Sequence, residues 1–273
     1  MLSASKWTGM MTHVRLIFVF VVCLSGVAYA GESPQITSLA VDNPSRLLFV
    51  GNSYLYYNNS LHDHLFRMVV SAGLYDQADM TIKSVTINGA RLRHHDVESY
   101  LKPNALGSDE PFQVVVLQGH STAALTDDHR AQFADSVRQY AQFIRRQGGE
   151  VILYMTPAYV YPHKLQRSDM IRDIESLYTT VGNEVDALII PVGLAFEEAY
   201  RRRPNIRLHE AYDGTHPTLL GTYLGTATVF ACLYNQSPVG NSYDYFGEID
   251  TDTRVFLQNV AQDVATKFCQ HAS

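Results

Sequence analysis

The chain has 273 residues, 46% of them apolar and 18% charged, with 21 Lys and Arg against 27 Asp and Glu for a formal charge of −6. That composition fits a folded globular chain and excludes a disordered one or a membrane bundle. A net acidic chain also lacks the basic surface that nucleic acids and anionic membranes require; its one run of positive charge, Arg201-Arg202-Arg203, reads as a solvated helix end.

Residues 1–30 read as a signal peptide. They hold Lys6 and Arg15 but no acid, an apolar run over 16–27 that is short for a membrane span, and a small-x-small site at Ala28-Tyr29-Ala30. Cleavage after Ala30 would leave 19 basic residues against 27 acidic ones, a charge of −8. The expectation is an exported protein, periplasmic or extracellular, without stable membrane insertion of the mature chain. Residues 31–45 are polar and contain Pro34 and Pro44, so they read as a linker into one domain over 46–273.

Within that domain, residues 46–50 form an apolar run ended by Gly51. Residues 60–72 have helical spacing, with Leu61, Leu65, Met68 and Val69 on one face, and Ser60 with Asp63 resembles a capping box. Residues 80–87 alternate as a strand does and stop at Asn88-Gly89. The continuous β-branched run at 112–117 predicts a strand buried on both faces. A long helix over 126–147 closes at Gly148-Gly149. A strand over 151–155, a helix over 168–181, a strand over 187–191 and a short helix over 194–203 follow. The loop at 213–216 and two helices, 218–234 and 252–270, complete the chain. Strands alternating with helices predict an α/β fold: a three-layer α/β/α sandwich around a five-stranded, mostly parallel, doubly wound sheet.

In such a sheet, ligands bind beyond the carboxyl ends of the strands. The polar residues there are Gly51-Asn52-Ser53, Asn88-Gly89, Gln118-Gly119-His120-Ser121 and Asp213-Gly214-Thr215-His216-Pro217. They suit acyl transfer. A serine hydroxyl needs a base within hydrogen-bond reach, and His216 can be that base. Asp213, three residues earlier, can orient the imidazole. Backbone N–H groups of Ser53 and Gly89 can meet a developing oxyanion.

These residues resemble the SGNH, or GDSL-like, serine hydrolases, in which a G-D-S-like block follows the first strand and carries the nucleophile. Gly51-Asn52-Ser53 occupies that block with Asn in place of Asp, Gly89 fits the glycine of the second block, and Asp213 with His216 matches the final D-x-x-H. The resemblance spans about residues 46–234 and implies a flavodoxin-like SGNH hydrolase fold. It further implies a catalytic triad of Ser53, Asp213 and His216, with no metal or other cofactor. The third block departs from the usual G-x-N-D: the chain reads Gly119-His120-Ser121-Thr122, without Asn. Gln118 is the favoured replacement donor and Ser121 the alternative.

The implied function is an exported carboxylic ester hydrolase working through an acyl-serine, with short acyl groups on carbohydrate or small esters as substrate. The alternatives are an acyltransferase on envelope glycans and a non-catalytic glycan-binding protein that keeps the fold. Asn52, Tyr54 and His120 are candidates for contacting substrate, and Tyr54, Tyr56 and Tyr57 can equally anchor their loop. His62 and His64 read as surface residues, and His94-His95-Asp96 as a sequence cluster without metal-site geometry. Cys232 and Cys269 can pair in an oxidising compartment or remain free.

Overall fold

A computed structural model describes residues 1–2 and 32–269. The chain divides into two units, 1–31 and 32–273, and the second carries every element below. The signal-peptide reading falls almost entirely outside the described residues.

Five strands, β1 (Arg46–Gly51), β2 (Thr81–Thr86), β3 (Val114–Gln118), β4 (Glu150–Tyr154) and β5 (Leu188–Ile190), form one all-parallel sheet in the order β2-β1-β3-β4-β5. The expected doubly wound α/β sheet is present. Chain direction across the sheet reverses at β1, which lies between β2 and β3, so the loops leaving these strands diverge and open a crevice there.

Each strand alternates its side chains between two cores. Leu47, Phe49, Val114, Val116, Ile152 and Ile190 pack on one face, and Leu48, Val50, Val115, Leu117, Leu153 and Ile189 on the other. Both faces are apolar, so the strands read as continuous hydrophobic runs. The first face is covered by α2 (Leu61–Ser71), α6 (Val192–Arg202), α7 (Leu219–Tyr234) and α8 (Thr251–Phe268); the second by α4 (Asp127–Arg146) and α5 (Met170–Glu184). Two short helices, α1 (Ser53–Tyr56) before α2 and α3 (Val97–Tyr100) between α2 and α4, have too few turns to show a period. Helix α7 is buried on all sides from Gly221 to Tyr234, which explains its apolar composition.

Cys232 on α7 is bonded to Cys269, which caps α8, with Cα atoms 5.6 Å apart. Residues 32–45 are not a free linker. Glu150 accepts from the N–H groups of Ala40 and Val41, and the Asn183 amide bonds both Ser33 and Gln35. The expected capping box at Ser60 is absent: Ser60 has φ 65° and its side chain makes no cap bond. Asn58, Asn59 and Ser60 all adopt positive φ, and this reversal is held by the Asn58 amide, which donates to Pro217 O and Thr222 Oγ1, both at 2.9 Å. Arg201, Arg202 and Arg203 pair with Glu198, Asp263 and Asp252, so the basic run is neutralised locally. No helix among the described residues is long and apolar enough to cross a membrane.

Candidate active site

Strand β1 ends in a backbone that several side chains hold. A β-carbon at Gly51 would fall on the Gln118 side chain and on Leu55, so only glycine allows β1 and β3 to close this tightly. The Gly51 carbonyl accepts from Ile87 N–H at 3.1 Å and from His95 Nε2–H at 2.9 Å. His95 is buried, and its place in this turn comes from tertiary packing that local sequence did not reveal. Asn52 caps α1: its Oδ1 accepts from Tyr54 N–H at 3.2 Å, while its Nδ2 donates to Ala90 O at 3.0 Å. The second bond draws the Gly89–Ala90 loop against the start of α1. Both ends of the Asn52 amide are thus engaged, which makes it a structural cap and leaves one N–H of Nδ2 for any further contact.

Ser53 opens α1 and is 7% exposed. Its Oγ–H lies 2.8 Å from His216 Nε2, across 163 residues of chain. His216 Nδ1–H donates to Asp213 Oδ2 at 2.5 Å, and Asp213 Oδ1 accepts from the N–H groups of Thr215 and His216 at 2.9 and 3.1 Å. Burial pushes the Asp213 carboxyl up, but the bonds from His216 and the two backbone N–H groups outweigh it, and the net shift is downward. The carboxylate is therefore held ionised beside the imidazole.

Two tyrosines fasten this loop to the serine turn. The Tyr54 and Thr215 hydroxyls share a hydrogen bond of 2.5 Å, and burial raises the Tyr54 phenol well above its usual range. Tyr57 stacks on the His216 ring with centroids 4.4 Å apart and planes 10° from parallel, and its hydroxyl meets that of Tyr212 at 3.1 Å. Tyr54 and Tyr57 thus hold the His216 loop in place; Tyr212, 66% exposed, presents its ring to solvent.

Gly89 has φ +63°, and neither its N–H nor that of Ser53 is engaged by another group among the described residues. Gln118, the favoured third donor, is placed otherwise. It is 1% exposed, its Oε1 accepts from Asn52 N–H at 2.9 Å, and its Nε2 donates to Gly119 O, so the amide braces the turn from beneath. Ser121 keeps its hydrogen: Tyr159 O–H donates to Ser121 Oγ at 2.7 Å, and the hydroxyl reaches towards Tyr54. His120 is half-buried at the end of β3, with Thr122 N–H donating to its Nδ1 at 3.1 Å.

One histidine expectation needs correction. His64 is not at the surface: its Nε2–H donates to Asn58 O at 2.6 Å, Tyr243 O–H donates to its Nδ1 at 3.1 Å, and Tyr245 stacks on it. His94, His95 and Asp96 diverge, with Asp96 capping α3. Among the described residues no group of three or more potential ligands could hold a metal ion.

No protein-family model matches the sequence, and no curated protein sequence matches it. Solved structures do. A DUF4886 family protein from Bacteroides uniformis aligns at TM-score 0.63 and 18% identity, over 83% of this chain and 96% of its own. A candidate SGNH hydrolase from Slackia heliotrinireducens aligns at TM-score 0.55 and 21% identity, over 70% of this chain and 99% of its own. A variant of Axe2, an acetylxylan esterase from Geobacillus stearothermophilus, aligns at TM-score 0.50 and 14% identity, over 71% and 95%. This chain has the α/β fold of the SGNH, or GDSL-like, hydrolases.

Proposed function

We propose that the protein is an exported serine esterase that removes short acyl groups from carbohydrate or other small esters. The observation that carries this reading is the Ser53–His216–Asp213 chain of hydrogen bonds at the carboxyl edge of a parallel sheet. Ser53 Oγ attacks the ester carbonyl as His216 Nε2 takes its proton. The imidazolium then returns that proton to the leaving alcohol, stabilised by Asp213. Water attacks the acyl-serine with the same base, releasing the acid. The N–H groups of Ser53 and Gly89 meet the oxyanion, and Ser121, whose hydroxyl is held between Tyr159 and Tyr54, supplies the third donor by turning its O–H from Tyr54 to the substrate. Short acyl groups suit a base enclosed by Tyr54 and Tyr57, and the exposed Tyr212 ring beside it suits a sugar face.

The test is hydrolysis of 4-nitrophenyl acetate by the protein and by its Ser53→Ala variant, followed by acyl chains of increasing length and acetylated oligosaccharides. Activity confined to the wild type, and strongest on acetyl, is the expected result. Equal rates in both forms would remove Ser53 from the mechanism. Strong preference for long chains would overturn the substrate class, and acetylated sugar formed from an added acceptor would reassign the protein as an acyltransferase.

A further inference from the structure

Arg91 stands two residues beyond Gly89 and directly after Ala90, whose carbonyl is bonded by Asn52, so its side chain leaves from the loop that carries a candidate oxyanion donor. Its guanidinium is close enough to influence Tyr159, the residue that bonds Ser121. A guanidinium has five N–H donors. Among the described residues this one meets a single partner, His129 Nε2 at 2.9 Å, and pairs with no carboxylate.

The imidazoles beside it are fixed by the same network. Because His129 Nε2 accepts from Arg91, the ring proton is on Nδ1, and it is donated to Thr122 O at 3.1 Å. The Thr122 N–H donates in turn to His120 Nδ1, and the Thr122 hydroxyl lies 2.8 Å from the same nitrogen. With Nδ1 accepting, neutral His120 carries its proton on Nε2, and no described group accepts it. Burial, with Arg91, His129 and His94 around it, pushes the imidazole pKa down to about 4, so that Nε2–H is present at neutral pH. Arg91, Arg93, His120 and His129 line one recess that no acidic residue lines. Its enclosed space, about 10 Å³, holds about one water, so a larger group would have to bind across its mouth.

We infer that this recess binds a carboxylate of the substrate, taken by the free guanidinium N–H groups of Arg91 and by His120 Nε2–H. The preferred ester is then an anionic one, such as an acylated uronic acid or the half-ester of a dicarboxylic acid. Three physical facts support it. A half-buried cation without a counter-charge is unfavourable until an anion arrives. The planar guanidinium matches a carboxylate geometrically. And a cationic recess on a chain of net charge −6 is a local feature rather than a general attraction for anions. The inference rests on the esterase reading, because it concerns the substrate of the same site.

The experiment compares each acid with its own methyl ester, which keeps the shape and removes the charge. One arm uses mono-4-nitrophenyl adipate against its methyl ester, placing the carboxylate on the acyl side. The other uses an O-acetylated galacturonic acid methyl glycoside against its methyl uronate, placing it on the alcohol side. The expected result is a kcat/KM ratio favouring the acid by about tenfold or more in one arm, a loss of that ratio in Arg91→Gln, and its partial return in Arg91→Lys. The ratio should also shrink as salt is raised. Each ratio is taken within one variant, so a general loss of activity cancels. Turnover without preference in both arms, or a preference that survives Arg91→Gln, would overturn the inference and leave the esterase reading standing. Absence of turnover on all four esters and on 4-nitrophenyl acetate would overturn both.

Discussion

Replacing Asp213 by asparagine tests the proposed base more sharply than deleting it. The structure asks this side chain to accept at both oxygens: Oδ1 from two backbone N–H groups and Oδ2 from His216 Nδ1–H. An amide has one acceptor oxygen. If it faces the backbone, the amide NH2 meets His216 Nδ1, the imidazole takes the opposite tautomer, and Nε2–H then points at Ser53 with no lone pair to accept a proton. If it faces His216, the N–H groups of Thr215 and His216 lose their acceptor and the loop loosens. The first outcome removes the base. In an unrelated protease the equivalent change lowers turnover on the order of ten-thousandfold, about 5 kcal/mol of transition-state free energy. The protein itself should lose only the difference between a charged and a neutral hydrogen bond, about 1–2 kcal/mol, or a few degrees in Tm. The assay is kcat/KM on 4-nitrophenyl acetate across pH 5–9, with thermal unfolding in parallel. A fall smaller than about tenfold in a variant of unchanged Tm would refute the role given to Asp213.

Gly51→Ala should destabilise the protein by about 1–3 kcal/mol through overpacking against Gln118 and Leu55, and should lower kcat as well, because Gln118 holds the Asn52 backbone; thermal unfolding and steady-state kinetics would measure both, and an unchanged Tm would count against the tight closure of β1 on β3. The Cys232–Cys269 bond closes a separation of 37 residues, which the chain-entropy relation makes worth about 4 kcal/mol. Reduction, or the Cys232→Ala variant, should therefore lower Tm by roughly 8–15 °C while leaving 4-nitrophenyl acetate turnover at low temperature nearly intact. Burial pushes His209 down to about 4, from 6.5 in the unfolded chain. Between those values the unfolded state binds the extra proton, so stability is full above about pH 6.5 and is lost as pH falls towards 4, by about 3 kcal/mol in all. Urea unfolding at pH 7 and pH 4.5 should show this loss, and His209→Gln should flatten it; an equally steep fall in the variant would assign the effect to other groups.

The sheet was legible because its physics is local. Strands buried on both faces must be apolar throughout, and Val114 to Leu117 or Ile152 to Leu153 announce that without reference to the rest of the chain. Long helices carried their period and their glycine stops in the same way. What local sequence did not carry was the direction of side chains at strand ends. Gln118 is a strand-end amide with donors to offer, yet the close approach of β1 at Gly51 turns it inward to Asn52. His64 and His95 are polar residues in ordinary surroundings until Tyr243 and Tyr245, or the Gly51 carbonyl, arrive from elsewhere in the chain. Ser60 has the spacing of a cap, but the reversal imposed by Asn58 binding Pro217 and Thr222 gives it a backbone conformation in which no cap bond forms.

Ser53 and the base proposed for it, His216, stand 163 residues apart in sequence, one on the first strand's exit and the other just before α7. The hydrogen bond between them can form only after the sheet has closed and the late helices have docked on it. Contacts of such long separation are slow to assemble. A nascent chain that ends before residue 213 would contain Ser53 without the base proposed for it. On the esterase reading proposed above, hydrolysis would be withheld until His216 has joined the fold, and ester turnover would read out how much of a refolding population has reached the native topology.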